Sequence, residues 1–201
     1  MATHTEARAW AQAGTEAALG REPTYNEVLF VQAIALLESG YGAGWKGDGV
    51  GSWNMGAVQG GKPPCDPSKA FLYTDSHPNA DGTSTKYEWC YRKYPTPEAG
   101  MQDVARILYV QMKVDPTSIE AVSTQMYDAH YYEGFGATRE ARIANHVKAL
   151  TNGVTRITTA LKEPMPPLVV SPEPSTVTDR VGLYSSVWGW VRRWLRGAWW
   201  R

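Results

Sequence analysis

A chain of 201 residues accommodates one ordinary domain with an appendage. Its 43% apolar and 20% charged content excludes wholesale disorder, and the sequence holds no run of about 18 apolar residues that could span a bilayer. The formal net charge of zero is unevenly placed: residues 179–201 carry five arginines against Asp179 alone, so residues 1–178 are net acidic, which argues against nucleic-acid binding by the body.

The Ala-rich residues 4–19 read as a first helix, with Thr5 as cap and Gly20 as stop. In REPTYNEVLFVQAIALLESGYG, Thr24 and Glu27 have capping-box spacing. From Val28 to Leu37 only Gln32 is polar, and a helix apolar nearly all round is a buried one. Gly40, Gly42 and Gly44 end it. Residues 45–70 read as loop. AFLYTDSH (70–77) and TKYEWCYRKY (85–94) are strand candidates, joined by PNADGTS with its Asp81-Gly82 turn signal. Helical pattern returns in PTPEAGMQDVARILYVQM, capped by Thr96, and again around 117–129 and 138–161. Five prolines between Pro164 and Pro174 mark residues 162–178 as an extended linker. The fold class is therefore α+β: a mainly helical domain over 1–161 with a small β-hairpin lobe, then a linker and a C-terminal tail.

Cys65 and Cys90 fall in one subdomain, and the sequence leaves open whether they pair. The histidines His4, His77, His130 and His146 are scattered without ligand spacing, so neither a metal site nor a cofactor is expected.

Glu38 is the most informative residue. Its helix face carries Val31, Ile34 and Ala35 at i−7, i−4 and i−3. Such surroundings strip water from a carboxyl, disfavour its charged form and raise its pKa, as a proton donor near neutral pH requires. The bland alternative is a core helix reaching solvent at an acidic residue.

LLESGYGAGW followed by SWNMGAVQGG resembles the lysozyme-superfamily pattern, in which a helix-terminal Glu-Ser precedes a glycine-rich turn and an Asn-x-x-Gly block. YRKYPTPEAGMQDVARIL and HYYEGFGATREARIANHVKALTNGV bring the likeness closest to the family-73 glucosaminidases of flagellar and autolysin type. The likeness covers roughly residues 20–160. It implies a lysozyme-like fold and a peptidoglycan hydrolase cutting β-1,4 bonds, with N-acetylglucosaminidase action favoured over muramidase or lytic transglycosylase action. It also implies Glu38 as proton donor. Asp75 stands nearest the place of the family's second acid, where Glu is usual, with Asp48, Asp81 and Glu88 as rivals. Tyr131 or Tyr132 matches the family tyrosine. Ser39, Tyr41, Trp53, Asn54 and Gly56 are expected to line the sugar site, Trp53 by stacking and Asn54 through its amide. Other readings are a non-catalytic lysozyme-like virion or glycan-binding module and a scaffold for a membrane-active peptide.

The tail gathers Trp188, Trp190 and Trp194 with Arg192, Arg193 and Arg196, a composition suited to anionic membrane or lipopolysaccharide, or to docking on a virion protein. The opening MATHTEARAWAQAG lacks the pattern of a secretory signal. With the tail, it suggests a phage-type lysis or virion enzyme made in the host cytoplasm and acting at the cell wall or periplasm.

Overall fold

The computed structural model describes residues 2–78, 84–132 and 136–166, the side chains of 75–78 and 84 excepted. Asp81, most of the linker and the Trp/Arg segment 179–201 lie outside the described residues.

Helix α1 (His4–Leu19) is capped two residues before the expected Thr5: Thr3 accepts from the Glu6 N–H, and the Glu6 carboxylate accepts in return from the Thr3 N–H. A capping box needs its acid three residues on. Thr3 has Glu6 there, and Thr5 has Arg8. Helix α2 (Tyr25–Ser39) starts at the expected Thr24–Glu27 box, and Arg21 reinforces Glu27 from outside. Every side chain from Val28 to Ala35 is buried. The helix stops at Gly40 with φ 57°, a left-handed value that a side chain would strain.

The other helices pack on α2 or on one another. Helix α3 (Pro97–Ala105) is capped by Thr96 and runs on into a wider turn over Arg106–Gln111, where the Met112 N–H bonds the Ile107 carbonyl five residues back. Helices α4 (Ile119–Asp128) and α5 (Arg139–Leu161) begin at Ser118 and Thr138. Phe30, Leu29, Ile34, Met101, Leu108, Ile119, Met126, Leu150 and Ile157 are fully buried at the centre. α1 packs closely on α3, since a Cβ on Gly14 would come within 2.6 Å of the Gln102 backbone.

The lobe is a three-stranded antiparallel sheet in the order β1-β3-β2: β1 (Gln59–Gly61), β2 (Ala70–Pro78) and β3 (Ser84–Arg92). β2 and β3 pair from Ala70 opposite Arg92 to Pro78 opposite Ser84. Strand β1 falls in the stretch read as loop, because Gln-Gly-Gly offers neither alternation nor β-branched residues. The lobe has its own small core, in which the Trp45 ring lies 5.1 Å from those of both Phe71 and Tyr91. Cys65 and Cys90 form a disulfide that ties the loop after β1 to the central strand.

Candidate active site

The chain leaving α2 turns back under the helix end, and residues 52–58 wedge between α2, α3 and the sheet. Ser39 holds this wedge from one side. Its hydroxyl lies 3.0 Å from the Met55 carbonyl and accepts the Gly42 N–H at 2.9 Å. Asn54 holds it from inside: its amide nitrogen donates to the Val58 and Arg92 carbonyls at 2.9 and 3.0 Å, and its oxygen accepts the Val58 N–H. α3 closes the third side, where a Cβ on Gly100 would fall 2.0 Å from the Trp53 carbonyl oxygen. Gly56 is equally confined, with Val104 and the Tyr131 hydroxyl each under 3 Å from a Cβ added there.

Glu38 stands beside this wedge, half-buried on the last turn of α2. Among the described residues no group donates a hydrogen bond to its carboxyl or forms an ion pair with it. Loss of water alone raises its pKa to about 7. Tyr131 is the neighbour whose chemistry registers this carboxyl. Its buried hydroxyl donates to the Gly56 carbonyl at 3.1 Å, and burial, followed by the charges of Glu38, Asp103 and Tyr94, pushes its pKa well above the ordinary phenol value.

Behind Tyr131 lies a cluster absent from the sequence reading. Asp103 is buried and accepts bonds from Tyr94, from Arg92 at 3.2 Å and from Arg106 Nε at 3.0 Å. The YRKY stretch is an aromatic-Arg-x-Tyr run, and it converges with Asp103 only because β3 and α3 meet at the wedge. Burial and the Asp103 charge hold the Tyr94 hydroxyl above the ordinary range.

Several residues expected to line the sugar site have other tasks. Ser39 and Asn54 are wholly buried, and their polar atoms are spent on the wedge, so neither side chain is open to a ligand. Tyr41 is 3% exposed, and its hydroxyl is engaged by His4 at 2.8 Å and by Gln32 at 3.3 Å. Tyr132 donates to the Ser123 carbonyl and stacks on the His146 ring at 3.9 Å, so of the two tyrosines only Tyr131 reaches the wedge. Trp53 is half-buried beside it, edge-on to Trp10. Gly56 contributes its carbonyl and the absence of a side chain. Asp75 pairs through its backbone with Tyr87. Among its rivals, Asp48 is exposed in a short turn, and alternation along β3 sets Glu88 on the face opposite Trp89 and Tyr91. Among the described residues, no group of three or more His, Cys, Asp or Glu could hold a metal ion.

Comparison with solved structures places this architecture. A peptidoglycan hydrolase mutant from Sphingomonas sp. A1 superposes with a TM-score of 0.52 and 20% identity, over 78% of this chain and 97% of that one. The two share a fold. The glycoside hydrolase domain of FlgJ from Salmonella typhimurium matches at a TM-score of 0.46 and 16% identity, over 78% of this chain and 99% of that one. The catalytic domain of the autolysin Auto from Listeria monocytogenes matches at 0.48 and 14%, over 80% and 89%. No protein-family model matches the sequence, and no curated protein matches it. The α+β lysozyme-like architecture expected from the sequence is thus the one found.

Proposed function

We propose that this protein is a glycoside hydrolase of bacterial cell-wall glycan, cutting β-1,4 bonds on the N-acetylglucosamine side, with Glu38 as proton donor. The observation that carries the reading is a carboxyl at the end of a buried helix, desolvated, without a partner among the described residues, and with its pKa raised to about 7. A structural carboxylate is normally paired or hydrated, and an unpaired one shifted by desolvation is a candidate acid. The likeness in fold to peptidoglycan hydrolases supports the choice of substrate.

In this reading Glu38 protonates the bridging oxygen while positive charge builds on the sugar ring. Asp103 is a poor candidate for the countercharge, because two arginines and Tyr94 already occupy it. Asp75 or the substrate's own acetamido oxygen fills that role, the latter being a recognised alternative to paired carboxylates. Tyr131 steadies the wedge beside the acid through Gly56.

The test is Glu38→Gln, which keeps shape and removes the proton. The parent is expected to solubilise purified sacculi and the variant to lose that activity. Equal rates would overturn the assignment. Borohydride reduction of the parent's products followed by mass spectrometry identifies the newly exposed reducing sugar, and reduced N-acetylmuramic acid would replace the glucosaminidase reading with a muramidase one.

A further inference from the structure

The cluster around Asp103 has a charge surplus. Arg92 and Arg106 share one carboxylate, and no second acid among the described residues reaches either guanidinium. Asp103 is 9% exposed at its side chain, whereas Arg92 and Arg106 are 35% and 39% exposed. The acid is therefore sunk and the two cations face outward with a net positive charge. Arg92 offers Asp103 only one Nη, and Arg106 uses Nε and one Nη, so each keeps donors to spare.

The position matters as much as the charge. Val104, next to Asp103, would touch a Cβ on Gly56, whose carbonyl receives Tyr131. The Arg92 carbonyl receives Asn54, two residues before Gly56. Met55 is tied to Ser39, the residue after Glu38. The arginine pair and the candidate acid thus flank the same few residues of backbone. A body that is net acidic over residues 1–178 repels anions at long range. A local cationic pair held in place by a buried acid is the arrangement that admits one anionic group at a defined spot, since guanidinium forks match carboxylates.

We propose that Arg92 and Arg106 form a subsite for a carboxylate carried by the glycan strand, either on a lactyl ether or on a peptide stem, and so favour peptidoglycan over neutral N-acetylglucosamine polymers. The inference rests on the glycan-hydrolase reading above, and it makes Asp103 a positioning residue that fixes the two forks.

The experiment measures Kd for the full chain carrying Glu38→Gln, so that ligands are not consumed. Three probes are used: soluble peptide-bearing glycan strands, the same strands freed of peptide so that the lactyl carboxylate is exposed, and neutral N-acetylglucosamine oligomers of equal length. The expected result is tighter binding of an anionic probe than of the neutral one, with that preference shrinking as salt rises. Arg92→Gln or Arg106→Gln should lower the anionic-to-neutral affinity ratio about tenfold, the scale of one charge-assisted hydrogen bond. Preference for the first probe assigns the stem carboxylate, and preference for the second the lactyl group. Equal binding of charged and neutral strands by the Glu38→Gln chain with both arginines intact overturns the proposal, and the salt series on that chain decides it even where an arginine substitution prevents folding. Turnover of sacculi by the wild-type chain is read separately. Loss of the preference with turnover intact refutes the subsite alone. Absence of turnover with the preference intact refutes the hydrolase reading alone.

Discussion

A desolvated carboxyl must cost the fold something, and Glu38 gives that cost a measurable form. Its pKa is raised from the ordinary 4.5 to about 7. Below pH 4.5 the native and unfolded chains both hold the proton, and the group has no effect on stability. Between pH 4.5 and 7 the unfolded chain releases the proton and the native one retains it, so stability falls as pH rises. Above pH 7 the penalty is complete, at about 3 kcal/mol for a pKa raised from 4.5 to about 7. Glu38→Gln cannot ionise and escapes this penalty. The variant is therefore expected to match the parent near pH 4 and to exceed it by about 3 kcal/mol at pH 8. In a domain of this size that corresponds to a Tm gain of roughly 6–12 °C. Scanning calorimetry of both proteins from pH 4 to pH 8 reads the difference directly. Parallel pH profiles with a constant offset would show that water reaches the carboxyl, and the physical basis for calling Glu38 the acid would fail with it.

If Glu38 must be protonated to act, kcat/KM on sacculi should decline above about pH 7 as the acid ionises; a rate still rising through pH 8 would contradict this. Tyr131→Phe leaves the buried Gly56 carbonyl without its donor and should cost about 1–3 kcal/mol in urea unfolding, with kcat reduced because the wedge beside Glu38 loosens. Gly100→Ala should be more severe than an ordinary helix substitution, since the added carbon meets backbone 2.0 Å away; retention of parental Tm would show that α3 can retreat. Breaking the Cys65–Cys90 link, which spans 25 residues, should lower stability by up to about 3.5 kcal/mol, read as a Tm difference with and without reductant.

Much of this architecture could be read from one dimension. The Thr24–Glu27 box, the apolar run broken only by Gln32, and Gly40 delimit α2 to the residue, because capping and burial are local or periodic. Thr96 and the two later helices follow from the same rules. β1 escaped because three residues without pattern become a strand only when β3 offers them partners. The disulfide escaped because two cysteines 25 residues apart carry no register until the loop is closed. At the candidate site, the desolvation of the Glu38 carboxyl was legible from its helix face. The fate of Asn54 was not: an amide in a turn before glycine reads equally as a ligand contact or a staple, and only its three filled hydrogen bonds decide. The Asp103 cluster was hidden for a topological reason, as a buried acid on one face of α3 gains meaning only when the end of β3 brings Arg92 beside it.

The chain beyond α5 is moored in a particular way. Glu163 grips Arg8, the Tyr25 hydroxyl donates to the Pro164 carbonyl at 2.7 Å, and Met165 lies against Thr158. Tyr25 opens the helix whose far turn carries Glu38, thirteen residues and therefore about 20 Å along the axis. Any cargo attached after residue 166 thus starts from the opposite pole of the body. A tag or fusion placed after residue 166 therefore starts from the far end of α2 and leaves the Glu38 end of that helix uncovered.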